Sequence, residues 1–165
     1  MKKCCCTGHR PKGFPWKYAD KSNKKHQAYL LRLRDRIEEL VVNESFDYFI
    51  SGGALGSDMD FAETVLALKQ KYKHIRLEIA VPCENQDLKW SIEDKQRYKS
   101  IIAQADVVNV LSRSYTRFCM LKRNEYMVNS SEKIIAIWNG AEEGGTYYTI
   151  NYAHKKNKKI EYILL

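Results

Sequence analysis

Apolar runs of strand length alternate with segments of helical periodicity along this whole chain, and that alternation restricts the fold more than any other feature. Residues 3–7 read as a short strand ending at Gly8. Tyr29, Leu30, Leu33, Ile37, Leu40 and Val41 recur at helical spacing and predict a helix over 26–43. Residues 46–51 form an apolar strand, followed by a helix with Phe61, Ala62, Val65, Leu66 and Leu68 on its buried side. Strand 75–81 is closed by Pro82; helix 91–104 carries Ile92, Tyr98, Ile101 and Ile102; strand 106–111 follows. Helix 118–129, strand 133–138, helix 145–155 and strand 160–164 complete the series. A helix between two strands returns the chain to the same end of the sheet, so the strands are parallel and the crossovers right-handed. The expected class is α/β, a doubly wound Rossmann-like sheet flanked by helices.

No repeat, low-complexity tract or linker interrupts the 165 residues, a length that suits one domain over 1–165. No apolar run approaches the roughly 18 residues that span a bilayer, and no signal-peptide core follows Met1, so a cytosolic chain with no membrane partner is expected. The five cysteines are odd in number and Cys4, Cys5 and Cys6 are consecutive, which argues against a disulfide framework and for small buried thiols. Zinc-ligand spacing is absent, and neither a metal nor a cofactor is expected. The net charge of +8 is terminal: residues 1–25 carry eight Lys/Arg against Asp20 alone, and 154–165 carry four against Glu161. That distribution fits a solvated basic edge better than a nucleic-acid groove.

Unusual residues gather where strands end. Gly8 and Arg10 follow the first strand; Ser51, Gly52, Gly53, Gly56 and Asp58 the second; Glu84, with Trp90 beyond it, the third; Gly144, Gly145 and Thr146 the fifth. In an open α/β sheet this edge binds ligands. Glycine turns before a helix offer free N–H groups and a favourable dipole to an anion, so Gly52, Gly53 and Gly56, with the helix starting near Ser57, are expected to cradle phosphate. Gly144-Gly145-Thr146 is a second such start. Arg10 can reach the same phosphate, Asp58 can cap its helix or hold a ribose hydroxyl, Glu84 can hydrogen-bond a base and Trp90 can stack on one. The spacing is neither GxGxxG nor the Walker pattern.

Thr7-Gly8-His9-Arg10-Pro11, Ser51-Gly52-Gly53-Ala54-Leu55-Gly56, Asp58, Arg123-Asn124 and Gly144-Gly145-Thr146 together resemble the YpsA-like branch of the SLOG superfamily over nearly the whole chain. That superfamily takes its name from the Smf/DprA DNA-processing proteins and the LOG phosphoribohydrolases. The resemblance implies a Rossmann-like sheet that binds nucleotides or their derivatives. LOG enzymes cleave the N-glycosidic bond of a nucleoside monophosphate with an arginine that Arg123 matches and a glutamate whose position, three after Thr146, is Thr149 here. A threonine cannot supply the carboxylate that glycosidic cleavage needs. Arg123 and Asp58 are the catalytic candidates, with Glu142 and Glu143 as further substitutes for the missing group; binding without cleavage is the reading favoured. DprA-like binding of single-stranded DNA and a homodimer are implied only by analogy, and Tyr147, Tyr148 and Tyr152 are expected to pack on the sheet rather than to form a stacking groove.

Overall fold

The computed structural model describes residues 1–165 and joins six strands in one sheet. β1 (Lys3–Gly8), β2 (Tyr48–Ser51), β3 (Arg76–Val81), β4 (Val107–Val110), β5 (Lys133–Trp138) and β6 (Lys159–Leu164) are all parallel, in the order β4-β3-β2-β1-β5-β6. The chain builds outward from β1 to β4, then crosses back to lay β5 on the free side of β1. Strand order therefore reverses between β1 and β5, the point where such sheets open a crevice at their carboxyl ends.

Helices α1 (Lys24–Glu44), α2 (Ser57–Lys69) and α3 (Ile92–Gln104) cover one face, and α4 (Cys119–Asn129) and α5 (Gly144–Lys155) the other. Successive strand side chains point to opposite faces. Cys4 and Cys6 accordingly join the core beneath α1 to α3, while Cys5 joins the one beneath α4 and α5. A strand covered on both sides needs compact apolar residues on each, which accounts for three consecutive cysteines; all five thiols are free and buried.

Boundaries differ from the sequence reading where caps and turns intervene. Ser45 takes a left-handed conformation and Phe46 N–H returns to Leu40 O at 3.0 Å, so Phe46 closes α1 and β2 begins at Tyr48. Ser91 caps α3 by accepting from Asp94 N–H and leaves Ile92 exposed, although the periodicity assigns Ile92 to the apolar face. Of the α5 tyrosines, Tyr152 packs against the core as expected, whereas Tyr148 departs from expectation. Thr146, Thr149, Ile150 and Ala153 form its buried face; Tyr148 is exposed and stacks on Tyr152, and Tyr147 lies parallel to Trp138.

Between β1 and α1 a 3-10 turn at Pro11–Gly13 leads into Phe14, Trp16 and Tyr18, which pack around His26 and Tyr29. This arm covers the buried Asp60 carboxylate, which accepts from Tyr18 OH (2.7 Å), Tyr29 OH (3.0 Å) and Arg97 Nη2 (2.8 Å). No helix is long and apolar enough to cross a membrane.

Candidate functional site at the strand-order reversal

A cleft of about 320 Å³ opens at the carboxyl ends of β1 and β5. Gly8, Arg10, Asp58, Arg123, Gly145 and Thr146 line it, joined by Thr7, His9, Gly13, Ala54, Met120, Leu121 and Asn124. Four separate stretches of chain thus meet in one place.

The start of α5 forms one wall. Its N-cap, Glu143, makes no side-chain cap bond, and the N–H groups of Gly145 and Thr146 have no acceptor in the protein. Gly144 is left-handed (φ +83°), and nothing lies within 4 Å of where a Cβ on Gly144 or Gly145 would stand. An uncapped helix start in open space presents converging N–H donors and the positive end of the helix dipole.

The opposite wall holds a buried ion pair. Arg123 is 4% and Asp58 7% exposed. The guanidinium donates Nη1–H to Gly52 O (2.5 Å) and Nε–H to Asn124 Oδ1 (2.9 Å), while Nη2 donates no hydrogen bond and stands 3.9 Å from Asp58 Oδ2. Gly52 is required because a Cβ there would collide with the guanidinium. The Asp58 carboxylate accepts only weakly, from Cys6 Sγ–H at 3.6 Å and Ala54 N–H at 3.3 Å. Burial raises the Asp58 pKa against the pull of Arg123, and burial lowers the Arg123 pKa against the pull of Asp58. Both shifts point the same way: desolvation outweighs pairing at this separation, leaving a cationic N–H and a carboxylate with unused bonding capacity.

The glycine loop after β2 plays a different part from the one its sequence suggests. Gly53 N–H donates to Ser51 Oγ (3.1 Å) and Ser57 N–H to His9 O (3.0 Å), an oxygen that also accepts from Ser57 Oγ (2.9 Å). The first amide of α2 is therefore satisfied by the β1–α1 connection. Gly56, at φ +87°, permits that contact, since a Cβ there would lie 2.6 Å from His9 O. Ser51, Gly52, Gly53 and Gly56 shape the wall without lining the cleft, and the helix start that faces the cleft uncapped is that of α5.

Glu84 and Trp90 lie outside the cleft. Glu84 is exposed, its N–H donating to Ser112 O (3.2 Å), and Trp90 packs edge-on against Tyr98 at 5.3 Å. Gly144 sets the turn without lining the cleft; Glu142 and Glu143 are exposed and do not line it either. Thr149 is buried, donating its hydroxyl to Gly145 O (2.8 Å). Asp58 is the sole carboxylate among the lining residues. Sequence reasoning missed Met120, Leu121 and Gly13. For α4 the signal was present: Met120, Arg123 and Asn124 stand three and four residues apart, on one helix face.

A larger depression of about 1540 Å³ lies between the arm that follows β1 and helices α1 to α3. Its buried Asp60 and half-buried Arg97 bond to each other and to Tyr18, and Arg97 also bonds to Glu63. Its buried and half-buried charges are already paired, whereas the smaller cleft holds a buried pair with bonding capacity to spare.

The chain matches the profile of the YpsA family, described as the YspA SLOG family, over residues 4–165. It is similar to the SPbeta prophage-derived protein YoqJ of Bacillus subtilis, at 38% identity over 142 residues, covering 76% of this chain and 82% of that one. A UPF0398 protein of Brevibacillus brevis is 31% identical over 146 residues, covering 86% and 78%. One from Halalkalibacterium halodurans is 28% identical over 124 residues, covering 74% and 66%. With the family profile matched almost from end to end on a doubly wound parallel sheet, the chain belongs to the YpsA family of SLOG proteins.

Proposed function

We propose that this protein binds the phosphate of a nucleotide-derived small molecule in the cleft between β1 and β5. The observation that carries this reading is the uncapped start of α5, with two free N–H groups at Gly145 and Thr146, sharing one cleft with Arg10 and the Nη2 amino group of Arg123. Asp58 then accepts from a ligand hydroxyl, and Asn124, its Oδ1 held by Arg123, turns its Nδ2 donor to the ligand. Met120 and Leu121 offer the apolar surface for a base, the part the sequence suggests for Glu84 and Trp90, which do not line the cleft. A volume near the lower end of the usual 300 to 1,000 Å³ range suits a mononucleotide-sized ligand.

A thermal-shift panel of nucleoside monophosphates, cyclic nucleotides and ADP-ribose tests the reading. A ligand at a hundred times its Kd stabilises the fold by about 2.7 kcal/mol, roughly 5–11 °C for a chain of this length. No shift at millimolar concentration for any member overturns it. The competing reading, a nucleoside 5′-monophosphate N-glycosidase, rests on Asp58 as the one carboxylate in the cleft and requires free base to appear by chromatography from the same panel. Binding of single-stranded DNA finds less support, since no Phe, Tyr or Trp lines the cleft.

A further inference from the structure

The two edges of the sheet are built differently. β6 is preceded by Lys155, Lys156 and Lys158 and begins at Lys159, and its Glu161 is bonded to Arg36 and Lys133. Charges of this kind, lysine above all, keep an edge strand from pairing with another chain. β4 has no such protection: its sequence is Val-Val-Asn-Val, without charge or proline, and its outer side has no strand beside it. Val108 and Val110 stand in register with the core residues Ile79 and Val81, so they point to the same face, yet α3 leaves them 42% and 46% exposed. Tyr115 and Phe118 are also exposed in the segment that follows. The basic excess of the chain belongs to its two termini, of which the β6 end forms the far edge of the sheet.

We infer that the occupant of the β4 edge is a second copy of this chain, paired antiparallel about a two-fold axis at Asn109. An isologous contact needs a self-complementary surface, and this strand supplies one. With Asn109 opposite its symmetry mate, Val108 of one copy faces Val110 of the other, twice, so the exposed valines cover each other while main-chain groups on the open side find partners. The lysine-flanked β6 edge stays in solvent, and like charges at the termini remain apart. The two sheets become one of twelve strands.

Sedimentation equilibrium of the full chain across a concentration series tests this. The expected result is a reversible dimer of the 19.3 kDa chain, with Val108→Lys and Val110→Lys together weakening association at least tenfold. Lysines at Leu31 and Val42, also exposed but on α1, should leave association unchanged. Because lysine disfavours strands, Val108→Thr with Val110→Thr provides a β-branched pair that keeps the strand and removes the apolar contact; it should weaken association in the same direction. A chain that is monomeric at every concentration, or a dimer indifferent to both pairs of substitutions, overturns the inference.

Discussion

Replacing Arg123 by leucine separates the structural from the binding role of the buried pair. The guanidinium is the cation beside Asp58, and it also satisfies Gly52 O. Removing it leaves a carboxylate that is 7% exposed with only a thiol and one amide as partners. Breaking one side of a buried ion pair costs about 3–5 kcal/mol, and for a chain of this length each kcal/mol moves Tm by about 2–4 °C, so the expected loss is roughly 6–20 °C. The pH dependence has a definite sign. Burial already raises the Asp58 pKa above its unfolded value in the wild type, and losing Arg123 raises it further. A carboxyl with a raised folded pKa is a burden while ionised, and the burden fades as pH falls through the folded pKa toward the unfolded one. The deficit of Arg123→Leu should therefore be largest at neutral pH and shrink toward about pH 5. Adding Asp58→Asn removes the stranded charge and should restore most of the loss at neutral pH. Urea unfolding of the four proteins in this cycle, at both pH values, supplies the measurement. An Arg123→Leu variant as stable as the wild type, or a double variant no better than Arg123→Leu, refutes the argument that desolvation governs this pair.

Gly145→Ala should leave the fold intact or stabilise it by up to about 1 kcal/mol, because the position is open and helical, yet weaken phosphate-ester binding by crowding the N–H donors; calorimetric titration and a melting curve read the two effects separately. Gly56→Ala should cost about 2 kcal/mol or more in urea unfolding, since it imposes a left-handed alanine whose Cβ meets His9 O. Asn23→Ala removes the acceptor for Lys25 and His26 N–H at the start of α1 and should cost about 1 kcal/mol by the same measurement, with no change in ligand affinity.

The sheet was legible because its signals are local. Apolar runs and helical periodicity mark strands and helices, and the helix between each strand pair dictates parallel pairing without any knowledge of long-range contacts. β5 was placed to the residue; β1, β3 and β6 differ by one residue at one end, β4 by one at each end, and β2 loses its first two residues to the turn at Ser45. The site was legible as an address more than as a geometry. Reading glycines at strand ends pointed to the edge where the cleft opens, but not to which helix start stays open. That distinction rests on His9 O reaching across 48 positions to occupy Ser57, a contact with no signature in spacing. Trp90 shows the same limit: its chemistry suits a base, but the partner that claims it is Tyr98. Arg123, alone in sequence, looks like any exposed helical arginine; its burial follows from α4 crossing beneath the glycine loop, where Gly52 makes room for it.

Amide spectra of the 15N-labelled protein titrated with adenosine 5′-monophosphate put the central claim to its most direct trial. Gly145 and Thr146 are expected to shift most, with the side-chain signal of Arg123 moving at the same ligand concentration, while Gly53 and Ser57, whose N–H groups are already bonded within the protein, change little. Shifts centred on Gly53 to Ser57, or none at the start of α5 under saturating ligand, would contradict it.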